Sequence, residues 1–458
     1  MYEWNESYKQ VVAPGGSYVV EEKSAEPAKE DNKIEDMWKV SVGGSIASTS
    51  TLSDGIVYFG GCDRFVYALD AANGELKWKF LTGDVILTAP VVVNNTVFIG
   101  SRDSYMYAID AKSGGLKWKY KTGGQIDSAV SHSNGRLYFG SFDNYLYALS
   151  ENGDLLWKFK AGEIIESPPS VANSTIYFGC YDKHFYALSE NGLLRWKFFV
   201  GGFVDTCAVL GKKGDPVSSI RIRSCDLHAM ADTVYFGAYN TYFYALDAEN
   251  GTLRWKYKTG NIIGWSFPLL HEGKIYFGCH DSYVYCLDAS DGNLLWKFKT
   301  GDLIDCAPFL HNGVLYIGSN DNYMYAIDAK TGFMIWRFRA GGEIMASPIV
   351  GDDVLFFGSW DAHFYALSAK DGKLLWKFKV GSPIPNLSDI YNKAHETSKQ
   401  ILIFWRPETR VARISEKSFN VPSGFRVEYA TGTSYTMSGG SDVPYSMQRK
   451  KKKMPWEP

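Results

Sequence analysis

Val97-Phe98-Ile99-Gly100, Tyr105-Met106-Tyr107-Ala108-Ile109-Asp110 and Leu116-Lys117-Trp118-Lys119-Tyr120-Lys121 are three runs within one passage of the chain. The first is a short apolar strand ending in Gly. In the second, Tyr105, Tyr107 and Ile109 alternate with other residues, and in the third Leu116, Trp118 and Tyr120 alternate with lysines. Asp103 opens the turn before the second run, and Asp110-Ala111-Lys112-Ser113-Gly114 forms the hairpin after it. Ile126 to Val130 supplies a fourth segment. Period-two alternation bounded by Gly and Asp turns is the signature of β-strands. No sustained helical periodicity occurs between residues 38 and 380.

The passage recurs. Trp38, Trp78, Trp118, Trp157, Trp196, Trp255, Trp296, Trp336 and Trp376 are spaced by 40, 40, 39, 39, 59, 41, 40 and 40 residues. The Tyr-Phe-Gly-like strand occurs at Tyr58, Phe98, Tyr138, Tyr177, Tyr235, Tyr276, Tyr316 and Phe356. Four strands in each of eight copies predict an all-β fold, an eight-bladed β-propeller with four-stranded antiparallel blades. The tryptophans are expected to dock between neighbouring blades, each removing about 150–250 Å² from water. Pro90, Pro169, Pro308 and Pro348 fall in the segment assigned to the innermost strand, an edge where a missing N–H is tolerated. Nine tryptophan strands for eight Tyr-Phe-Gly strands leave closure open. Either Trp38 supplies the outer strand of the last blade, with the Trp376 strand displaced or added outside it, or the Trp376 strand closes the ring.

The domain reading is an acidic extension over 1–36, the propeller over 37–385 with an insertion at about 207–226 in blade five, and a basic extension over 386–458. Residues 1–36 hold nine acids and four lysines, while 386–458 hold twelve basic and seven acidic residues. Ile401–Trp405, Val411–Ile414 and Phe425–Tyr429 are predicted as short strands, and the stretch beyond Thr431 as extended or disordered. Seven scattered cysteines without metal-ligand spacing read as free thiols, and no transmembrane segment or signal peptide is visible. The location expected from these features is the cytoplasm. A net charge of −2 argues against nucleic-acid binding by the ring as a whole.

The repeat resembles the PQQ-like β-propeller family, the quinoprotein alcohol dehydrogenase-like superfamily. Val57-Tyr58-Phe59-Gly60, Asp63, Tyr67-Ala68-Leu69-Asp70, Ala71, Gly74, Leu76 and Trp78 carry the resemblance, and it recurs through Trp376. The family has an enzymatic branch and a non-enzymatic one that includes BamB. The enzymatic branch implies a quinone held between a Trp and a disulfide of adjacent cysteines, a neighbouring calcium ion and an Asp base. This chain has no adjacent cysteine pair, and no calcium-binding Glu and Asn align with a catalytic Asp. The expectation is a non-catalytic, BamB-like scaffold without PQQ or calcium and without catalytic or metal-binding residues. The alternative is a propeller that binds a small ligand or cofactor, a relative of the PQQ-dependent oxidoreductases.

Functional residues should break the repeat, and three regions do. The 59-residue gap inserts a basic piece with Lys212, Lys213, Arg221 and Arg223, suited to an acidic partner or simply solvated. One rim of the channel receives two connections from each blade. The first carries Ala47, Leu87, Asp127, Glu166, Asp205, Gly264, Asp305 and Met345; the second carries Cys62, Arg102, Phe142, Tyr181, Tyr239, His280, Asn320 and Trp360. Asp127, Glu166, Asp205 and Asp305 with Arg102, His280 and Trp360 are thus a candidate ligand or partner site, against the plainer reading of a hydrated channel mouth. His132, His271 and His311 are read as solvent-facing turn residues. The third break is the terminus Arg449-Lys450-Lys451-Lys452-Lys453, which suits nucleic acid, an anionic surface or an acidic protein groove. The partners expected overall are other proteins.

Overall fold

A computed structural model describes residues 45–211 and 232–381 in full, together with the backbone of strands Tyr8–Val12, Tyr18–Glu22, Arg426–Glu428 and Ser434–Thr436. Two compact units divide the chain, Met1–Leu387 and Ser388–Pro458.

The first unit contains eight blades in chain order, each a four-stranded antiparallel sheet. Blade one is Thr51–Ser53, Ile56–Gly60, Phe65–Asp70 and Leu76–Leu81. Blade eight is Ile349–Gly351, Val354–Gly358, His363–Ser368 and Leu374–Lys379. The three-residue strand of each blade lies innermost. The two central strands are almost wholly buried, and the fourth alternates exposed with half-buried positions. On blade two, Lys119 lies over the Tyr105 ring at 4.5 Å, so the lysine row covers aromatic faces while its charges stay in water.

Neighbouring blades are joined at three levels. At the circumference, each tryptophan reaches the hairpin of the next blade: Trp78 Nε1 donates to Ala111 O at 2.8 Å and Trp118 Nε1 to Glu151 O at 2.9 Å. That hairpin turns through a glycine for two reasons. Gly114 has φ +72°, and a Cβ there would lie 2.8 Å from the Trp78 ring. Further in, the turn aspartates tie backbone to side chain: Asp103 Oδ2 accepts from Gly83 N and from Tyr107 Oη, each at 2.6 Å. Around the lumen, the glycine ending each second strand receives a branched side chain from the next blade. A Cβ on Gly100 would lie 2.4 Å from Ile126 Cγ2.

The same contacts close the ring. Trp376 Nε1 donates to Ala71 O at 3.2 Å, Phe364 stacks on Phe59 at 4.3 Å, and Ile46 N donates to Ser359 O at 3.2 Å. The Trp376 strand is therefore the ordinary outer strand of blade eight, pairing Trp376 with Ala366. Of the two alternatives for closure, the Trp376 strand is the one that seals blade eight to blade one; Trp38 lies outside the described residues.

Blade six departs from the four-stranded plan. Tyr8–Val12 and Tyr18–Glu22 pair with each other, and the latter runs parallel to Leu294–Lys299, aligning Tyr18 with Trp296. Part of the acidic N-terminal stretch thus extends this sheet to six strands. On that outer strand Trp296 and Phe298 are fully buried, where most other blades leave the corresponding rings half-exposed.

In blade five the first strand, Val209–Gly211, falls within the span expected for the insertion. The extra residues begin after it and end before Thr233–Gly237, where Asp232 N donates to Gly211 O at 3.0 Å. Lys212, Lys213, Arg221 and Arg223 lie outside the described residues, as does Arg449 to Lys453. In the second unit Arg426–Glu428 pairs antiparallel with Ser434–Thr436, so a strand occurs in the stretch expected to lack one. Among the described residues no helix is long and apolar enough to cross a membrane.

Candidate functional site at the channel mouth

The site is built where the chain enters each innermost strand. A buried Ile or Val packs under the preceding blade's glycine, and the next residue turns into the lumen. One residue further on, a Ser or Thr often anchors the entry: Gly60 N donates to Ser48 Oγ at 3.0 Å, and Gly278 N to Ser266 Oγ at 2.7 Å. Counting back from these anchors corrects the sequence-derived ring. Ser48 follows Ala47, but Ser266 follows Trp265. Blade six enters with one extra residue, Gly264, and Trp265 takes the lumen position that had been given to Gly264.

Ala47, Leu87, Asp127, Glu166, Asp205, Trp265, Asp305 and Met345 all line the same cavity. A second tier lies below them, including Thr49, Ala89, Ala129, Pro168, Phe267 and Ser347. One arc of the upper ring is acidic, and the remainder is apolar or aromatic. The cavity volume of about 60 Å³ holds about four to six waters at roughly 10–15 Å³ each.

The rim residues sit between consecutive lumen residues, and three of the four carboxylates find partners there. Arg102 Nε donates to both oxygens of Asp127 at 3.0 Å, and its Nη2 donates to Oδ2 at 2.7 Å. Burial alone would lower the guanidinium pKa, but Asp127 outweighs it and the net shift is upward. His280 Nε2 lies 2.5 Å from Asp305 Oδ1, and Asn320 Nδ2 donates to Asp305 Oδ2 at 3.3 Å. Burial opposes charge on His280; the Asp305 carboxylate overcomes this and raises its pKa. Tyr181 Oη donates to Glu166 Oε2. Burial, with Asp127 nearby, pushes the Glu166 carboxyl up to about 7.

Asp205 is different. It is 1% exposed, and neither carboxylate oxygen has a hydrogen-bond partner among the described residues. Burial, together with the Glu166 charge, holds its pKa well above the usual carboxylate range, against a smaller lowering by the neighbouring Tyr239 hydroxyl. Asn320 also leaves its Oδ1 buried and unpaired.

The structure thus gathers Asp127, Glu166, Asp205 and Asp305 into one lumen and holds Arg102 and His280 against two of them. Trp360 does not join them. It stands 44% exposed on the rim, outside the cavity wall. Sequence reasoning missed Trp265 and Phe267 as wall residues, although Trp265 lies outside the tryptophan register and signals a break. It also misplaced three histidines: His132, His271 and His311 lie in innermost strands, not turns, and His132 Nε2 is 2.7 Å from Glu151 Oε1.

Among the described residues no group of three or more His, Cys, Asp or Glu side chains is placed to hold a metal ion, and the described cysteines are single thiols. The residues present therefore do not match a quinone stacked on a disulfide beside calcium.

No curated protein matches the chain in sequence. Among solved structures it is similar to the computationally designed Ika8 protein, at 15% identity and a TM-score of 0.58 over 74% of this chain and 97% of that one. It is similar to BamB from Moraxella catarrhalis, at 15% identity and a TM-score of 0.55 over 69% of this chain and 94% of that one. A europium-containing methanol dehydrogenase matches at 15% identity and a TM-score of 0.57, over 70% of this chain and 84% of that one. These likenesses show the fold. The sequence profile described as outer membrane protein assembly factor BamB matches residues 32–132, 122–261, 209–306 and 280–417. The chain belongs to this BamB-like family of PQQ-type repeat propellers.

Proposed function

We propose that this chain is a non-catalytic scaffold that engages another protein through the face bearing the channel mouth. Membership in a family described by an assembly factor supports a protein partner. The observation that carries the choice of face is Trp360. The other large apolar side chains exposed among the described residues lie on outer strands or the hairpins leading into them. Trp360 stands instead on the rim, across the channel from the half-buried Phe142, Tyr181 and Tyr239 of blades three to five. An exposed tryptophan is the type of anchor that dominates protein interfaces. The reading takes the chain without quinone or calcium, because the described cysteines are single thiols and Arg102, Tyr181 and His280 already engage three of the four lumen carboxylates. Purification of tagged full-length chain from its native host tests it. A stoichiometric partner retained by the wild type and lost by Trp360→Ala is expected; recovery of both as free monomers would remove the reading.

A further inference from the structure

We propose that the lumen binds a compact alkylammonium group, with Asp205 as its anchoring carboxylate and Trp265 as its aromatic wall. The inference is independent of the scaffold reading, which rests on the exposed rim. A cluster of acids at a channel mouth needs no ligand when each acid is matched, and Asp127, Glu166 and Asp305 are matched. Asp205 is not, although it is 1% exposed and lines the cavity. Once Asp205 is ionised, its two oxygens are acceptors, as is the buried Oδ1 of Asn320. The Asn320 amide is oriented by its donation to Asp305, so its free atom is the oxygen. The missing group is therefore a donor.

The walls narrow its chemistry. Trp265, Phe267 and Met345 share the cavity with Asp205, and an aromatic face attracts a cation while sheltering methylenes. No lysine or arginine is among the residues lining the cavity. Tyr181, Tyr239, Glu166 and Asp305 are the titratable groups that face Asp205, and none supplies positive charge to it as Arg102 does to Asp127. Space for about four to six waters suits the tip of a short amine. N–H donors toward Asp205 and methylenes toward Trp265 describe an alkylammonium ion, either a free amine or the end of a lysine on another protein.

Calorimetric titration of the full chain with n-butylammonium chloride tests this, with n-butanol as the neutral isostere. Saturable binding with one site, absent for butanol and weakening as pH falls, is expected. Asp205→Asn should weaken it at least tenfold and keep the fold, since it removes an unpaired buried acid while preserving shape. Trp265→Leu should weaken it about fivefold, the loss of one cation–π contact. N-acetyl-lysine amide forms the second arm: binding by both amines identifies a partner's lysine as a competent source, and binding by butylammonium alone identifies a free amine. No saturable binding at millimolar concentration, equal binding of butanol, an unchanged affinity in folded Asp205→Asn, or displacement of the amine by calcium would each overturn the proposal.

Discussion

The tryptophan belt and the lumen ring are both made of eight equivalent positions, yet they have opposite character. In the belt every position holds the same residue and makes the same bond, from Trp78 on Ala111 to Trp376 on Ala71. In the ring, Ala47, Leu87, Asp127, Glu166, Asp205, Trp265, Asp305 and Met345 offer six residue types at one geometric place. Repetition fixes where a side chain points, and the departures from repetition decide what it meets there. The belt answers a requirement of closure, since each blade must seal against the next. The ring has no such constraint beyond size, so its residues are free to carry chemistry.

If this contrast is right, belt substitutions cost packing wherever they are made. Trp296 is the most buried of the set, at 1% exposure. Trp296→Ala should lower unfolding stability by about 3–5 kcal/mol, as for other large core truncations. The half-exposed Trp157 should cost less by the same denaturant titration. Equal and negligible effects at both would break the comparison.

In the ring, by contrast, cost should depend on the partner. Asp127 has a side chain only 1% exposed and relies on Arg102. Arg102→Ala should cost about 3 kcal/mol, because removing one member of a buried pair leaves an uncompensated charge. Adding Asp127→Asn should recover most of the loss, since the orphaned charge disappears with it. Failure of the double variant to recover would mean that Arg102 acts through packing of its stem instead.

These two expectations differ in how far the sequence announced them. The blade count follows directly from the eight Tyr-Phe-Gly-like strands, because each strand is defined by nearest-neighbour alternation. The identity of the lumen residues was legible for seven blades. It failed at blade six because a single extra residue, Gly264, shifts the entry, and only the Gly278–Ser266 hydrogen bond sets the register. The pairing of Arg102 with Asp127 spans 25 residues and two blades, so it depends on how neighbouring blades pack. The addition of Tyr18–Glu22 to blade six was not legible at all. Its partner is an outer strand whose sequence, Leu-Leu-Trp-Lys-Phe-Lys, is identical at 155–160 and 374–379.

Titration should separate the two regions further. Glu166 has a carboxyl raised from 4.5 to about 7 by burial and by Asp127. Between those values the native state holds a proton that the unfolded chain has released, so stability falls as pH rises through the window. The loss is on the order of 2–3 kcal/mol across it, at about 1.4 kcal/mol per unit. His280, also raised, adds a loss of the same sign above its unfolded value, so wild type alone does not isolate Glu166. The difference between wild type and Glu166→Gln does. Its denaturation midpoint should decline less between pH 4.5 and 7. Parallel pH profiles would show that the Glu166 carboxyl is solvated, and the acidic arc would then lose its distinction from ordinary surface.

Trp360 tests the contrast from its other side. It shares a residue type with the belt but none of its bonds, standing 44% exposed where blade two places Arg102 and blade six His280. An exposed side chain away from caps, cores and ion pairs shifts stability by no more than about 0.5 kcal/mol on substitution. Trp360→Ala should therefore leave the denaturation midpoint in place, while Trp296→Ala moves it strongly. A tryptophan that contributes almost nothing to folding has its apolar surface available for a second molecule. If Trp360→Ala instead destabilises the ring as a belt substitution does, the residue belongs to the architecture, and the rim loses the feature that marks it as an interface.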